Sequence, residues 1–467
     1  MLDGQRLFVP ILVALGAYAI VAFTPQIFND GDTYWHIAAG ERMLSDHAIL
    51  FRDPFSYTFF GQPWNTHEWL AEIVMAASYK AASWSGVALL FATAFALAAG
   101  LLAWHLSRWL APMATLVVSL PALACMSGSL LARPHILALP LLVLWTGELL
   151  LARKEHRAPS WLLLPVMTLW ANLHGGFAFG FLLLGYAGLE ALFEEQAKLQ
   201  TLKAWGLFSF GAVVAALLTP HFVGGLLFPF RLVAMNQLAG IGEWQPTSFA
   251  TLEPFEILIV AALYVFLSRG EKLPVGRLLM SLLLMHLALQ HARHQIVFAA
   301  VVPLLLAGSL ASALNAHPQR SERVTRAAWV FAAAIVVACI SAARLTWPVS
   351  RGDGAVTPLV ALSHVSATTI ATPVLNDYSF GGYLIFRGIP VFIDGRAELY
   401  GDDFLRNYSK ILRPDPAALR ASLEKYRIGW TILTPNSPAV AILDLLPGWR
   451  RLYADRTAVI HVRSPNR

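Results

Sequence analysis

The sequence is short of charge. Of 467 residues, 13% are Asp, Glu, Lys or Arg and 57% are hydrophobic, whereas a soluble domain carries roughly 25% charge. So sparse a set cannot cover a water-facing surface of this size, which excludes a string of soluble domains. The lack of polar or Gly-periodic sequence excludes a disordered or collagen-like chain. Cysteine is almost missing: Cys125 and Cys339 lie in apolar runs and make neither a disulfide framework nor a zinc site. No Gly-rich phosphate loop opens a predicted helix, which argues against a nucleotide-driven pump. A strong basic excess is also lacking. The net charge of +6 comes from Lys and Arg scattered singly between apolar runs, a pattern of membrane topology and not of nucleic-acid binding.

What remains is apolar and segmented. A spanning helix needs about 20 mostly apolar residues, and eleven candidates run approximately 7–24, 86–103, 112–130, 134–151, 161–173, 176–192, 204–220, 253–268, 275–290, 295–313 and 327–345. The fifth is short, either half-buried or continuous with the sixth. The first is kept as a span because its apolar stretch is long and no A-x-A site follows. With the N-terminus in the cytoplasm, the cytoplasmic side receives Arg6, Arg108, Arg153, Lys154, Arg157, Lys198, Lys203, Arg269, Lys272, Arg277, Arg320, Arg323 and Arg326. The opposite side receives only Arg42, Arg52, Lys80, Arg133, Arg231 and Arg293, as the positive-inside rule requires. An odd number of spans then places the C-terminal tail outside.

Two outer segments are more than linkers. Residues 25–85 predict an amphipathic helix from Thr33 to Leu44, an irregular DPFSYTFFGQPWN stretch and a second helix from His67 to about Ser83, with Trp35, Trp64, Trp69 and Trp84 at interfacial positions. Residues 350–467 regain soluble charge density. There TPVLND, PVFIDG, WTILTP and TAVIHV predict strands, and DDFLRNYSKIL, PAALRASLEKY and AVAILDLL predict helices. The expected architecture is a polytopic α-helical membrane protein of about eleven spans (residues 1–349) followed by a small α/β domain (350–467) on the outer side.

On this topology the outer ends collect Asp30, Asp32, His36, His67, Glu68, Arg133, His135, Asn172, His174, His221, Glu243, His291, Arg293 and His294, while the inner ends carry ordinary loop charges such as RKEHR and SRGEK. Ionisable groups near hydrocarbon are expensive, so their gathering on one side points to a polar cavity. Asp32 and His36 are four apart and share a helical face. Asp30-Gly31-Asp32 can bind a divalent ion, or Asp32 can cap the helix that starts there. Asn65 and Glu68 have a capping-box spacing, so Glu68 either caps or faces the cavity. Gly175-Gly176, after His174, permit a turn or close ligand approach. HARHQ sets His291, Arg293 and His294 in one outer turn, where charge bias disfavours arginine, and Arg is suited to phosphate. Glu243 beside Trp244 could contact a sugar or simply lie at the interface. For FIDGRAELYGDD, with Asp394, Arg396, Glu398 and Tyr400, a structural Asp–Arg turn is the preferred reading. No H-E-x-x-H spacing marks a catalytic zinc.

DTYWHIAAGERML directly after the first span, followed by DPFSYT, G-x-x-W and HEWLAE, resembles the GT-C glycosyltransferases, integral-membrane enzymes that take sugars from polyprenyl-phosphate carriers. It is similar to bacterial members of the protein-mannosyltransferase and lipid-modifying branch. DTYWH is also similar to the first-loop acidic motif of oligosaccharyltransferase catalytic subunits. The match covers residues 1 to about 345. The resemblance implies that Asp32, with Asp30 beside it, is the catalytic base or a metal ligand (Mg or Mn). It implies that an acceptor hydroxyl attacks the anomeric carbon with inversion, and that Arg293 and His294, or Arg133, stabilise the departing lipid phosphate. It further implies a polyprenyl-phosphate-sugar donor, a glycan, lipid or protein acceptor, and residence in a bacterial inner membrane. The chain departs from the mannosyltransferase branch in having Asp32-Thr33 where an Asp-Glu pair is usual. Outside the resemblance, the alternatives are a lipid-linked-glycan transporter or flippase, which would show repeats and midplane polar groups, and a non-catalytic scaffold.

Overall fold

The computed structural model describes residues 5–240, 242–318 and 326–464; Arg320 and Arg323, assigned to the inner side above, lie outside them. Helices come first: α1 (Gln5–Ala22), α2 (Asp32–Asp46), α3 (Trp69–Leu106), α4 (Pro112–Ser127), α5 (Pro134–Lys154), α6 (Leu164–Leu173), α7 (Phe177–Glu194), α8 (Lys198–Leu217), α9 (Val223–Val233), α10 (Pro254–Arg269), α11 (Val275–Gln290), α12 (Gln295–Leu305), α13 (Ala307–Ala313) and α14 (Arg326–Thr346). All eleven apolar segments are helical. By length and composition five helices can cross a membrane, or six when the bent pair α12 and α13 is one span, and others such as α4 and α11 are apolar but shorter. Large apolar side chains stay exposed along α8, α10, α11 and α14, among them Phe210, Leu267, Leu279 and Phe331. A water-facing surface would not carry them, and the chain is a multi-pass membrane protein.

One boundary differs from expectation, one open choice is settled, and one helix is added. The helix expected over 67–83 and the span over 86–103 are one element, α3, bent where Ala82 and Ser83 leave helical geometry (Ser83 φ +51°). The chain breaks at His174, which is extended, so α6 and α7 are separate helices. α9 falls in the long 220–252 connection, where no helix was expected.

The C-terminal part adds α15 (Leu359–Ser363), α16 (Ala367–Ile370), β1 (Val374–Asn376), α17 (Gly381–Phe386), α18 (Ala397–Leu412), α19 (Pro416–Lys425), β2 (Trp430–Leu433), α20 (Pro438–Leu445), β3 (Trp449–Ala454) and β4 (Val459–Arg463). The sheet order is β1-β2-β4-β3, with β1 parallel to β2 and the other pairings antiparallel. PVFIDG, expected as a strand, is not one. Its backbone is served by a side chain: Asn376 Nδ2 donates to the Ile393 carbonyl (2.8 Å), and the Phe392 N–H donates to Asn376 Oδ1 (2.9 Å). A single bridge joins Val391 to Ser56 of the first loop. β3, WRRLYA, was missed; it is an edge strand whose Arg450 and Arg451 are solvent-facing, a common protection of a free edge.

The helical body and the C-terminal part share a core. One buried cluster runs from Val21, Tyr34 and Trp84 into Tyr383, Trp430 and Ile460. The first loop is clamped by a buried ion pair set. Arg396 donates to Asp53 Oδ1 (2.7 Å) and to both oxygens of Asp394 (2.8 and 2.7 Å), and Tyr400 Oη donates to Asp394 (2.6 Å). All three charged side chains are fully buried. Such a set is costly to desolvate and is tolerated only when each charge is paired. Asp394 and Arg396 are thus structural, as expected.

Candidate active site

α2 starts at Asp32, with Gly31 as its N-cap and no side-chain capping bond. The capping reading of Asp32 therefore fails; its oxygens are used elsewhere. Oδ1 accepts from the Trp35 indole (3.0 Å), one turn further along the same helix, and Oδ2 accepts from Arg133 Nη2. Arg133 is extended before Pro134 at the start of α5, and it meets a different carboxylate on each side of its guanidinium: Asp30 at Nε (3.2 Å), Asp32 at Nη2 and Glu243 at Nη1 (2.5 Å). The other oxygen of Glu243 accepts from Arg293 Nη1 (3.0 Å). Three carboxylates and two guanidiniums, contributed by four separate segments, form one ion cluster.

The C-terminal part walls this cluster. Gly395 lies so close that a Cβ on it would overlap Asp32 Oδ1. Gly382 likewise presses against the Gly31 carbonyl, leaving no room for a side chain. Burial pushes the Asp30 carboxyl up to about 7 against the pull of Arg133, and burial raises Asp32 in the same sense. Glu243 differs. Burial acts to raise it, but Arg133 and Arg293 outweigh that and hold it at about 2.

A second cluster lies beside Trp35, whose ring meets His36 at a tilt of 34°, 3.6 Å between centroids. Glu68 is faced by His36 (3.8 Å), His67 (3.6 Å) and His174 (3.6 Å). The Gly176 N–H donates to His174 Nδ1 (2.9 Å), so the proton of neutral His174 is on Nε2, directed at Glu68. Burial pushes Glu68 up to about 8 and holds His67 down at about 3, which leaves this cluster largely uncharged at neutral pH. Glu68 makes no capping bond at the start of α3, and Asn65 instead donates to the Gly224 carbonyl (3.2 Å), so the capping box is not formed.

Other candidates spend polar atoms on backbone carbonyls or on helix packing. His135 engages the Ser129 carbonyl (2.9 Å), His291 that of Trp244 (2.6 Å) and His294 that of Leu287 (3.3 Å). Asn172 accepts from the Trp69 indole (2.8 Å) and donates to the carbonyls of Thr168 and Leu218, so it ties α3, α6 and α8 together. Trp244 is buried and carries the Arg293 guanidinium over its ring at 4.3 Å, so that face is occupied.

Two residues escaped sequence reasoning. Glu72 is buried and stands 3.5 Å from His36 Nδ1; the available signal was an acid one helical turn after Glu68 within an apolar run. Gly395 offered none, since only the fold brings it to Asp32. Glu398, weighed only within a structural turn, accepts from the Trp64 indole (3.3 Å), and burial raises it to about 7.

A divalent ion between Asp30 and Asp32 does not fit this arrangement. Mg or Mn would need several oxygens converging on one point, and Arg133 fills the point where Asp30, Asp32 and Glu243 converge. Among the described residues no group of three or more His, Cys, Asp or Glu side chains is arranged to hold a metal ion.

An open apolar groove of about 820 Å³ runs between α3, α6 and α8, lined by residues including Trp69, Leu164, Thr168, Phe210 and Leu218 and reaching Asn172.

No protein-family model matches the chain, and no curated protein matches it by sequence. Solved structures do match. The archaeal oligosaccharyltransferase AglB from Archaeoglobus fulgidus, in complex with an inhibitory peptide and a dolichol-phosphate, aligns with a TM-score of 0.54 at 13% identity, over 92% of this chain and 69% of that one. ArnT from Cupriavidus metallidurans, bound to undecaprenyl phosphate, aligns with a TM-score of 0.50 at 12% identity, over 97% of both chains. The fold is GT-C-like. The apo form of the A. fulgidus oligosaccharyltransferase gives the same result (TM-score 0.51, 12% identity, 92% and 69% coverage). The GT-C-like fold extends over the C-terminal part as well as the helices, since more than nine-tenths of the chain is aligned in each case.

Proposed function

We propose that the chain is a membrane glycosyltransferase that moves a sugar from a polyprenyl-phosphate-linked donor to an envelope acceptor, a glycan, a lipid or a protein. The observation that carries this reading is the joining of Asp30 and Asp32 to Arg133, Glu243 and Arg293 in one cluster at one end of a GT-C-like helical body. The solved relatives named above hold dolichol-phosphate and undecaprenyl phosphate, and the apolar groove beside Asn172 suits a prenyl chain. Gathering of the polar groups at one end favours a catalytic cavity over a carrier with access from both sides.

In this reaction the acceptor hydroxyl attacks the anomeric carbon and the bond from that carbon to the phosphate oxygen breaks with inversion. The bonding pair leaves on the lipid phosphate, and the hydroxyl proton passes to Asp32. Arg133 and Arg293 stabilise the phosphate as its charge grows. The Trp35 indole orients Asp32, and Asp30 holds Arg133. Glu68 with His36, His67 and His174 lines the acceptor side. The cavity opens to the periplasm of a bacterial inner membrane. Residues 1–349 and 350–467 are two domains, the second closing the cavity against the first loop.

The deciding experiment is purification with native lipid and mass spectrometry of what is bound, together with a transfer assay on that donor. A polyprenyl-phosphate sugar that is consumed by the wild type supports the reading. A lipid carrying no phosphate, or a donor carried across a vesicle without transfer, overturns it.

A further inference from the structure

Glu243 stands where an anionic ligand would. Its two oxygens reach separate arginines, Oε2 to Arg133 Nη1 and Oε1 to Arg293 Nη1 (2.5 and 3.0 Å). A phosphate group bridges a pair of guanidiniums through separate oxygens in the same way. Nε and Nη2 of Arg133 face Asp30 and Asp32, and Nη1 faces Glu243, so Nη1 is where the exchange takes place.

The backbone around Glu243 is pinned by contacts other than the two arginines that hold its carboxylate. It belongs to a single turn, Gly242–Trp244, in the connection between α9 and α10. Before that turn, Asp402 of α18 accepts from the backbone N–H groups of Asn236 and Gln237 (3.0 Å each). After it, Trp244 is held under Arg293 and by His291, and the Thr247 N–H donates to the Leu289 carbonyl (2.9 Å). The arginines are the hydrogen-bond partners recorded for the carboxylate itself. About a quarter of each of the Glu243 and Arg293 side chains is accessible, so a ligand can reach the bridge without moving a helix.

We propose that Glu243 is an internal counter-anion that keeps the phosphate seat: the donor's lipid phosphate displaces it from Arg133 and Arg293, and its return displaces the polyprenyl-phosphate product. This rests on the glycosyltransferase reading above. The exchange balances in charge, since a phosphodiester and a carboxylate each bring one negative charge. Transfer then leaves a phosphate monoester able to take a second charge and bind the arginines more tightly, and the returning carboxylate offsets that gain. Because the two arginines keep Glu243 ionised, the exchange is anion for anion and needs no proton.

The test uses the full-length protein with undecaprenyl phosphate as the probe. Arg133→Gln and Arg293→Gln each lose binding by roughly tenfold or more, as removal of a charge-assisted partner implies; unchanged binding in both would overturn the phosphate seat and the functional reading with it. With that dependence intact, Glu243→Gln binds the lipid phosphate about tenfold more tightly, and kcat and KM fall together as product leaves more slowly. A merely structural lesion would weaken binding. Equal or weaker binding by Glu243→Gln overturns the counter-anion role and leaves the functional reading standing. Should that variant fold poorly, carbodiimide labelling of Glu243 in the wild type, read by mass spectrometry, rises when undecaprenyl phosphate is added; labelling that stays flat or drops overturns the proposal.

Discussion

α5 carries an arginine at each end, and the two serve different ends. Arg133 precedes the helix and Arg153 lies in its last turn; 21 residues separate the ends, about 30 Å at ~1.5 Å per residue, close to the thickness of a bilayer's hydrocarbon core. Each arginine is ringed by carboxylates. Arg153 meets Glu190, Glu194 (2.7 Å) and Glu195 (3.2 Å), and Arg277 completes the group through Glu190 (3.1 Å). The difference is access. The Arg153 side chain is 2% exposed and that of Arg133 20%. At the far end the acids come from the end of α7, one segment, and fasten it to α5 and α11. At the site end they come from distant segments and leave the guanidinium reachable. The same residue types make a staple in one place and an exchangeable ion cluster in the other, so composition alone could not tell them apart.

Asp32→Asn breaks the comparison most sharply. It is expected to cut sugar transfer by about 10²–10⁴-fold while the melting temperature holds; retained transfer would remove Asp32 as the base. Gly395→Ala should follow, with transfer down by about 10²-fold, because a Cβ there displaces Asp32 and small misplacements of a reacting group are that costly. A fully active Gly395→Ala protein would mean that the C-terminal wall does not position Asp32. Arg153→Met reverses the pattern. Glu190 then keeps Arg277 but loses its second cation, which is expected to cost about 1–3 kcal/mol in thermal or denaturant unfolding, with transfer per folded molecule unchanged; a loss of turnover at unchanged stability would make the far cluster functional.

The smallest effect is in pH. Burial raises Asp30 to about 7 and raises Asp32; a carboxyl so raised is ionised only above that range, so the base is lost as pH falls through it. kcat/KM should fall on the acid side with its limb displaced above the ordinary carboxylate range, whereas a limb at the ordinary carboxylate position would show that Asp32 is not raised. At the far end the sense is opposite: His156 and Arg153 hold Glu195 below the usual carboxylate range, so Glu195 keeps its charge where Asp30 and Asp32 lose theirs.

Much of the helical body was legible because apolar periodicity and length are local properties. The first-loop acids were legible for the same reason, being four residues or fewer apart. The pairing was not. Asp32 finds Arg133 across 101 positions and Arg133 finds Glu243 across 110, and nothing in a single sequence ties such positions together. PVFIDG misled because it has strand composition while its backbone partners are side chains, such as Asn376, and the irregular first loop at Phe55, Tyr57 and Thr58. Glu72 stayed hidden because a lone acid in an apolar helix looks like an exception to the run, and only the arrival of His36 explains it.

The buried Arg396–Asp53 pair has a consequence in time. Its partners are 343 positions apart, so Asp53 is made long before Arg396 leaves the ribosome. Until then the first loop has no clamp and Asp32 no wall. On the proposed glycosyltransferase reading, transfer waits until the segment around Arg396 has been made.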